Sequence, residues 1–226
     1  MMTTPLTSIE IEQNKPISNS IIWLHGLGAD GSDFISIVPE LHLPSSLGIR
    51  FIFPHAPIMP VTINQGFEMR AWFDIYGTTR DSKIDFPGIQ QSVEQINQLI
   101  EKEIERGIKP EQIIVCGFSQ GATIALMTGL FHSQPLGGVI ALSGYLPTDE
   151  QTFQKVSPVN RNLSIFLAHG TEDLIVPYAL GKATYAALRN ANYPVSWHSY
   201  PIPHSVCAEE INAISQWMQK MLQTQR

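Results

Sequence analysis

The stretch "IIVCGFSQGATIAL", residues 113–126, decides how this chain is read. Four strand-forming residues lead into Gly117-Phe118-Ser119-Gln120-Gly121, and an apolar run suited to a buried helix follows. This is G-x-S-x-G between a strand and a helix, where the two glycines permit a sharp turn that lifts the serine hydroxyl above the end of a sheet. The pentapeptide alone is a modest signal, because serine also caps helix N-termini. The flanking strand and helix supply the context that makes Ser119 the candidate nucleophile. Ser143, in "ALSGY", lacks the preceding glycine and reads as a strand end.

Residues 112–148 carry no Asp, Glu, Lys or Arg, and "GFSQG" has the G-x-x-x-G spacing of membrane helix pairs. Gly117, Ser119, Gln120, Gly121 and Pro135 interrupt the run and no basic cluster flanks it, so no membrane span is expected. Buried parallel strands with a helix between them give the same near-continuous apolar run. The rest of the chain agrees: strand-like segments at 20–26, 49–54, 113–118, 138–144, 164–170 and 195–200 are separated by candidate helices. The clearest helix places Ile89, Val93, Ile96, Ile100 and Ile104 on one stripe, with Pro87 at its start and Gly107 past its end. The last aligns Ile211, Ile214, Met218 and Met221, with acidic residues early and lysine late as the helix dipole prefers. The alternation predicts an α/β fold: a mostly parallel sheet flanked by helices on both faces.

With 226 residues, 43% of them hydrophobic, the chain can bury one large core, and no repeat or linker divides it. A net charge of −6 without a basic block offers nothing to a phosphate backbone, so nucleic acid is not an expected partner. Cys116 and Cys207 match no metal spacing and suit a reducing compartment. The N-terminal residues show no signal-peptide pattern, and a cytoplasmic location is expected.

A serine hydroxyl needs a base to take its proton and a carboxylate to orient that base; on this fold they follow in the order Ser, acid, His, in loops after strands. Only His198 and His204 lie late enough. His198 sits inside the alternating strand "VSWHSY", where a packed imidazole is the default, whereas His204 follows that strand in the irregular "PIPHSV" and is preferred. For the acid, Asp173 in "HGTEDLIVP" stands just past a strand and before Pro177, a candidate first helical residue. Its rival Asp149, in "LPTDEQTF", is better explained as a helix cap. Glu172 should point away from its neighbour.

An attacked carbonyl also needs donors for its oxyanion, each worth about 3 kcal/mol. One is the amide of Gln120, directly after the serine. The other should come from "WLHGLGADGSDF", whose glycines let the backbone of Leu27 face the site. Gly26, Gly28 and Gly31 of that loop also spell the dinucleotide-binding G-x-G-x-x-G. The acidic residue such a site wants for its ribose is missing after the next strand, "FIFPHAP", so an oxidoreductase is the weaker reading.

"WLHGLGADGSDF", "FPHAP", "MRAWFDI", "CGFSQGATIAL", "HGTEDLIVP" and the final "PHSV" together resemble the acyl-protein thioesterase and phospholipase/carboxylesterase group of α/β-hydrolases, in order, over about residues 8–222. The resemblance implies an α/β-hydrolase fold and a serine hydrolase without cofactor or metal. It would cleave esters or thioesters of apolar acyl groups with Ser119, Asp173 and His204 and the amides of Leu27 and Gln120, the positions already reached from the residues. Implied substrates are small-molecule or lipid acyl esters and thioesters, with acylated proteins included, and a homodimer is one implied assembly. Ala122 stands where the family usually has a second glycine. Arg70 and Ala71 stand where eukaryotic protein thioesterases tend to have Pro-Ser, which resembles the bacterial carboxylesterases. A catalytically silent binding module with the same fold is the rival class.

Substrate choice is expected in residues 55–86, too long for an ordinary connection and without sustained periodicity, lying over the active-site face. Met59, Phe67, Met69, Trp72, Phe73 and Ile75 are candidates to line an acyl groove. Trp72 and Phe73 have an alternative role in pinning the loop to the core, and Arg70 is a candidate for an anionic head group or a plain surface arginine.

Overall fold

The computed structural model describes residues 5–77, 82–147, 153 and 156–223. Among the described residues nine strands form, in chain order β1 (Ser8–Gln13), β2 (Asn19–Leu24), β3 (Ile49–Pro54), β4 (Ile58–Val61), β5 (Phe67–Arg70), β6 (Ile113–Phe118), β7 (Gly138–Leu142), β8 (Ile165–Gly170) and β9 (Val195–Tyr200). The helices are α1 (Ile37–Glu40), α2 (Phe86–Glu105), α3 (Gln120–Phe131), α4 (Tyr178–Asn190) and α5 (Ala208–Gln223). Seven strands make one sheet in the order β1-β3-β2-β6-β7-β8-β9; β1 runs antiparallel to β3 and every other pairing is parallel. The expected α/β-hydrolase architecture is present.

Period-2 alternation explains the layers. Ile22, Leu24, Val115 and Ile165 face α2, α3 and the Leu188 side of α4. Ile21, Trp23, Ile114, Cys116 and Phe166 face the opposite way, onto α1 and the Ile214, Met218 and Leu222 stripe of α5. With both faces covered, central strands β2, β6 and β7 are mostly apolar and uncharged, and so is α3, which is buried nearly all round.

All six anticipated strands and both periodic helices are there. The alternating β1, with its outer face exposed, was not anticipated. Nor was the β4–β5 hairpin, paired from Ile58↔Arg70 to Val61↔Phe67 inside 55–86; its four-residue strands, one holding Pro60, are too short for periodicity to register. α2 begins at Phe86, with Asp85 as N-cap accepting from the Gly88 amide and Pro87 in the first turn. Pro177 is the N-cap of α4 rather than its first residue. Among the described residues, no helix is long and apolar enough to cross a membrane.

Candidate active site

The C-terminal end of β6 is where the sheet opens. Ser119 has φ 56° and ψ −118°, outside the regions an L-residue prefers, and it sits as the N-cap of α3 with its amide bonded to the Leu142 carbonyl at 2.8 Å. The two glycines make that turn sterically feasible. A Cβ on Gly117 would run into the Gly121 carbonyl, and one on Gly121 would lie 2.5 Å from the Leu24 oxygen on β2. The strain is held by close backbone packing on either side of it.

The loops after β8 and β9 bring two more side chains to the serine. His204 Nε2 lies 2.9 Å from Ser119 Oγ, and His204 Nδ1 lies 2.6 Å from Asp173 Oδ2. A carboxylate only accepts, so Nδ1–H donates to Asp173 and Nε2 is left to accept the serine hydroxyl proton. Asp173 is buried, and its Oδ1 accepts the amides of Ile175 and Val176, each at 2.9 Å. Phe118 packs against the His204 ring at a centroid separation of 4.7 Å. The close approach of the His204 loop depends on Gly170, where a Cβ would overlap the Ile202 carbonyl.

The alternatives lie elsewhere. His198, within β9, stacks on Phe166 of β8 and pairs with Ser196 Oγ at 2.8 Å. Glu172 is exposed. Ser143 is buried just past β7. Asp149 lies outside the described residues.

Leu27 and Gln120 flank a cavity of about 510 Å³ that also takes in Ser119. As the first residue of α3, Gln120 has an amide with no carbonyl one turn back to receive it. The loop carrying Leu27 is pinned on both sides: Ala29 N–H donates to the Gly26 carbonyl at 3.3 Å, and Gly28 N–H to the Arg70 carbonyl at 2.9 Å. Gly31 N–H donates to His55 Nδ1 at 3.1 Å. Two of the three glycines of the dinucleotide-like spacing thus spend their amides on protein acceptors, which leaves no cradle of amides for a pyrophosphate.

A buried polar network that sequence reasoning missed sits beneath this loop. The Gln120 side chain accepts from Trp72 N–H at 2.8 Å and donates to the Phe73 carbonyl at 2.6 Å. The Trp72 indole donates to the His25 carbonyl at 2.9 Å, and Ser92 Oγ donates to the Trp72 carbonyl. His25 donates through Nδ1 to the Gly26 carbonyl at 2.7 Å and accepts the Ala56 amide at Nε2, 3.0 Å away, so its tautomer is set by its partners. Burial holds its pKa below the usual histidine value. Apart from the bond between His25 and its neighbour Gly26, each joins residues far apart in the sequence, although the dipeptide His-Gly, just past β2 and at the end of β8, was a visible sign.

The expected substrate-contacting residues divide. Phe73 and Ile75 line the cavity. Trp72 does not: it is 2% exposed and belongs to the core, because its indole is committed to His25. Arg70 donates to the Ala56 carbonyl at 2.7 Å and braces the loop instead of facing the cavity. Met69 is half-buried and accepts from Asn64 Nδ2 at 3.2 Å, also off the cavity. Phe67 is exposed on the hairpin. The walls not foreseen come from Tyr145 to Pro147, from Ile175 to Pro177, and from Leu180, Ala183 and Thr184 of α4.

The sequence model of the phospholipase/carboxylesterase family matches residues 7–222. The chain belongs to that family. Acyl-protein thioesterase 1 of Gibberella zeae is 37% identical over 212 residues, spanning 90% of each chain. Acyl-protein thioesterase 1 of Mycosarcoma maydis is 36% identical, covering 91% of this chain and 92% of the relative. Among solved structures, Arabidopsis thaliana SOBER1 superposes with a TM-score of 0.86 at 31% identity, over 91% of this chain and 99% of that one. Zea mays acyl-protein thioesterase 2 superposes with a TM-score of 0.85 at 26% identity, over 96% and 99%. As a family member the chain is a hydrolase of the thioesterase/carboxylesterase class.

Proposed function

We propose that this family member cleaves carboxylic esters or thioesters of apolar acyl groups through a covalent acyl-enzyme on Ser119. The observation that carries the reading is the continuous path from Ser119 Oγ through His204, 2.9 Å away, to Asp173, 2.6 Å further on. His204 Nε2 takes the hydroxyl proton as Oγ bonds to the substrate carbonyl carbon. The Leu27 and Gln120 amides hold the oxyanion. As the tetrahedral intermediate collapses, the bond to the alcohol or thiol breaks, and His204 Nε2–H gives that leaving atom its proton. Water then repeats the sequence: His204 removes its proton, the oxygen attacks the acyl carbon, and the acid departs as Oγ recovers a proton. Asp173 orients the imidazole and offsets its transient positive charge. The mostly apolar cavity beside Ser119 suits the acyl chain, and the segment within 55–86 that contributes Phe73 and Ile75 forms one of its walls.

Covalent labelling tests this directly. The protein should gain the mass of one fluorophosphonate adduct and hydrolyse p-nitrophenyl butyrate; Ser119→Ala should lose both while melting at an unchanged temperature. An unlabelled native protein without turnover would favour a silent binding module, and Ser119→Ala with native turnover would end the assignment.

A further inference from the structure

Asp173 Oδ2 faces two imidazoles. His204 Nδ1 lies 2.6 Å from that oxygen, and His169 Nε2 lies 3.4 Å from it. His169 is the penultimate residue of β8 and is 1% exposed; its Nε2 also lies 2.9 Å from the Val176 carbonyl. A carbonyl only accepts, so Nε2 carries the proton and Nδ1 does not. The N–H therefore donates to the Val176 carbonyl, and because Nε2 also lies 3.4 Å from Asp173 Oδ2 the positive end of the N–H dipole sits beside the carboxylate, bracing the turn that Asp173 Oδ1 already ties through the Ile175 and Val176 amides.

The other edge of the ring is seated against α4. A Cβ on Gly181 would strike Nδ1, and Tyr178 stands edge-on at 6.0 Å. Burial also pushes the His169 pKa down, which keeps the ring in the neutral form that this seat accepts. His169 contributes nothing to the cavity wall and does not touch Ser119.

We propose that His169 is a positioning residue of the hydrolytic reaction: as a neutral ring that donates to the Val176 carbonyl and sets its N–H dipole 3.4 Å from Asp173 Oδ2, it braces the turn and the carboxylate so that the same oxygen meets His204. The proposal rests on the reading of Ser119, His204 and Asp173 as a triad. Without this ring, Asp173 keeps its two amide bonds through Oδ1, but the turn loses its tie to β8 and Oδ2 loses the dipole beside it. Turnover should then suffer and substrate binding should not.

Steady-state kinetics on p-nitrophenyl butyrate, with a thermal melt of each variant, provides the test. His169→Leu should lower kcat about ten- to a hundredfold, the loss typical of removing an outer partner of a catalytic group, with KM held within about twofold. His169→Gln keeps an N–H donor at comparable reach and should recover most of that loss. Gly181→Ala, which displaces the ring from behind without touching Asp173, should also lower kcat, and it decides the matter if the leucine variant does not fold. A folded His169→Leu or Gly181→Ala protein with native kcat would overturn the proposal, as would equal impairment of the leucine and glutamine variants. Asp173→Asn, assayed alongside, separates the two ideas: native turnover there would overturn the triad itself, whereas its loss beside an intact His169→Leu enzyme would overturn only the positioning role.

Discussion

At Ser119 the backbone conformation carries a cost of about 1–3 kcal/mol for a non-glycine residue, and its neighbours make the strain tolerable. Gln120 does much of this with a side chain that bonds to the backbone of Trp72 and Phe73. Gln120→Ala would leave the Trp72 amide and the Phe73 carbonyl buried and unpaired, about 1–3 kcal/mol for each group. It should therefore lower the urea midpoint and, because the same residue's amide is a proposed oxyanion donor, reduce kcat more than KM. Native stability in that variant would mean that the network is not what holds the 72–73 backbone. The residues that the structure brings to the serine were legible because few positions meet the chemistry: one G-x-S-x-G, two late histidines, and acids that had to follow a strand. The Gln120 side chain, His25 and His169 were not, since their roles depend on partners such as Trp72, Ala56 and Val176 that only the fold selects.

Among the elements, α2 and β3 are joined by a buried ion cluster. Glu103 has a fully buried side chain and meets Arg50 and Arg106, each at 2.8 Å, while Arg50 also reaches Glu12 on β1 at 3.0 Å. Removing one partner of a buried pair costs about 3–5 kcal/mol, although the pair itself adds little over an apolar replacement. Arg50→Met should thus lower unfolding stability by an amount near the lower end of that range, because Arg106 remains. Arg50 lies at the N-terminal end of β3, opposite the strand ends that carry Ser119, so kcat should be unchanged below the melting transition. Chemical denaturation with a parallel esterase assay reads both effects; a stable variant with lost turnover would contradict the expectation. The central strands were easy to read, since burial on two faces leaves a plain apolar run. β1 and the β4–β5 hairpin were not, because a half-exposed edge strand and four-residue strands leave weak signals.

Taken as a whole, the molecule balances two opposing responses to pH. Burial holds the pKa values of His25, His169 and His198 below the ordinary 6.5. Below that value the unfolded chain binds protons that the native state refuses, so their stabilising effect is complete above 6.5 and fades as the pH falls. Glu210 acts in the reverse sense. It is 1% exposed in the first turn of α5, its Oε1 has no hydrogen-bond partner among the described residues, and burial raises its pKa to about 7. Its cost is absent below the ordinary 4.5 and complete above about 7. Glu210→Gln should raise Tm by roughly 5 °C at pH 8, corresponding to about 2 kcal/mol, with the gain shrinking toward pH 5. A pH-independent gain would assign the effect to packing.

Ser119, Asp173 and His204, the triad proposed above, leave the ends of three different strands, β6, β8 and β9, and the last of them lies in the segment leading into α5. A growing polypeptide with this triad carries Ser119 as an ordinary alcohol until His204 has been made and packed. On that reading reactivity arrives with the crossover that follows β9, so that late folding is itself the safety catch on its chemistry.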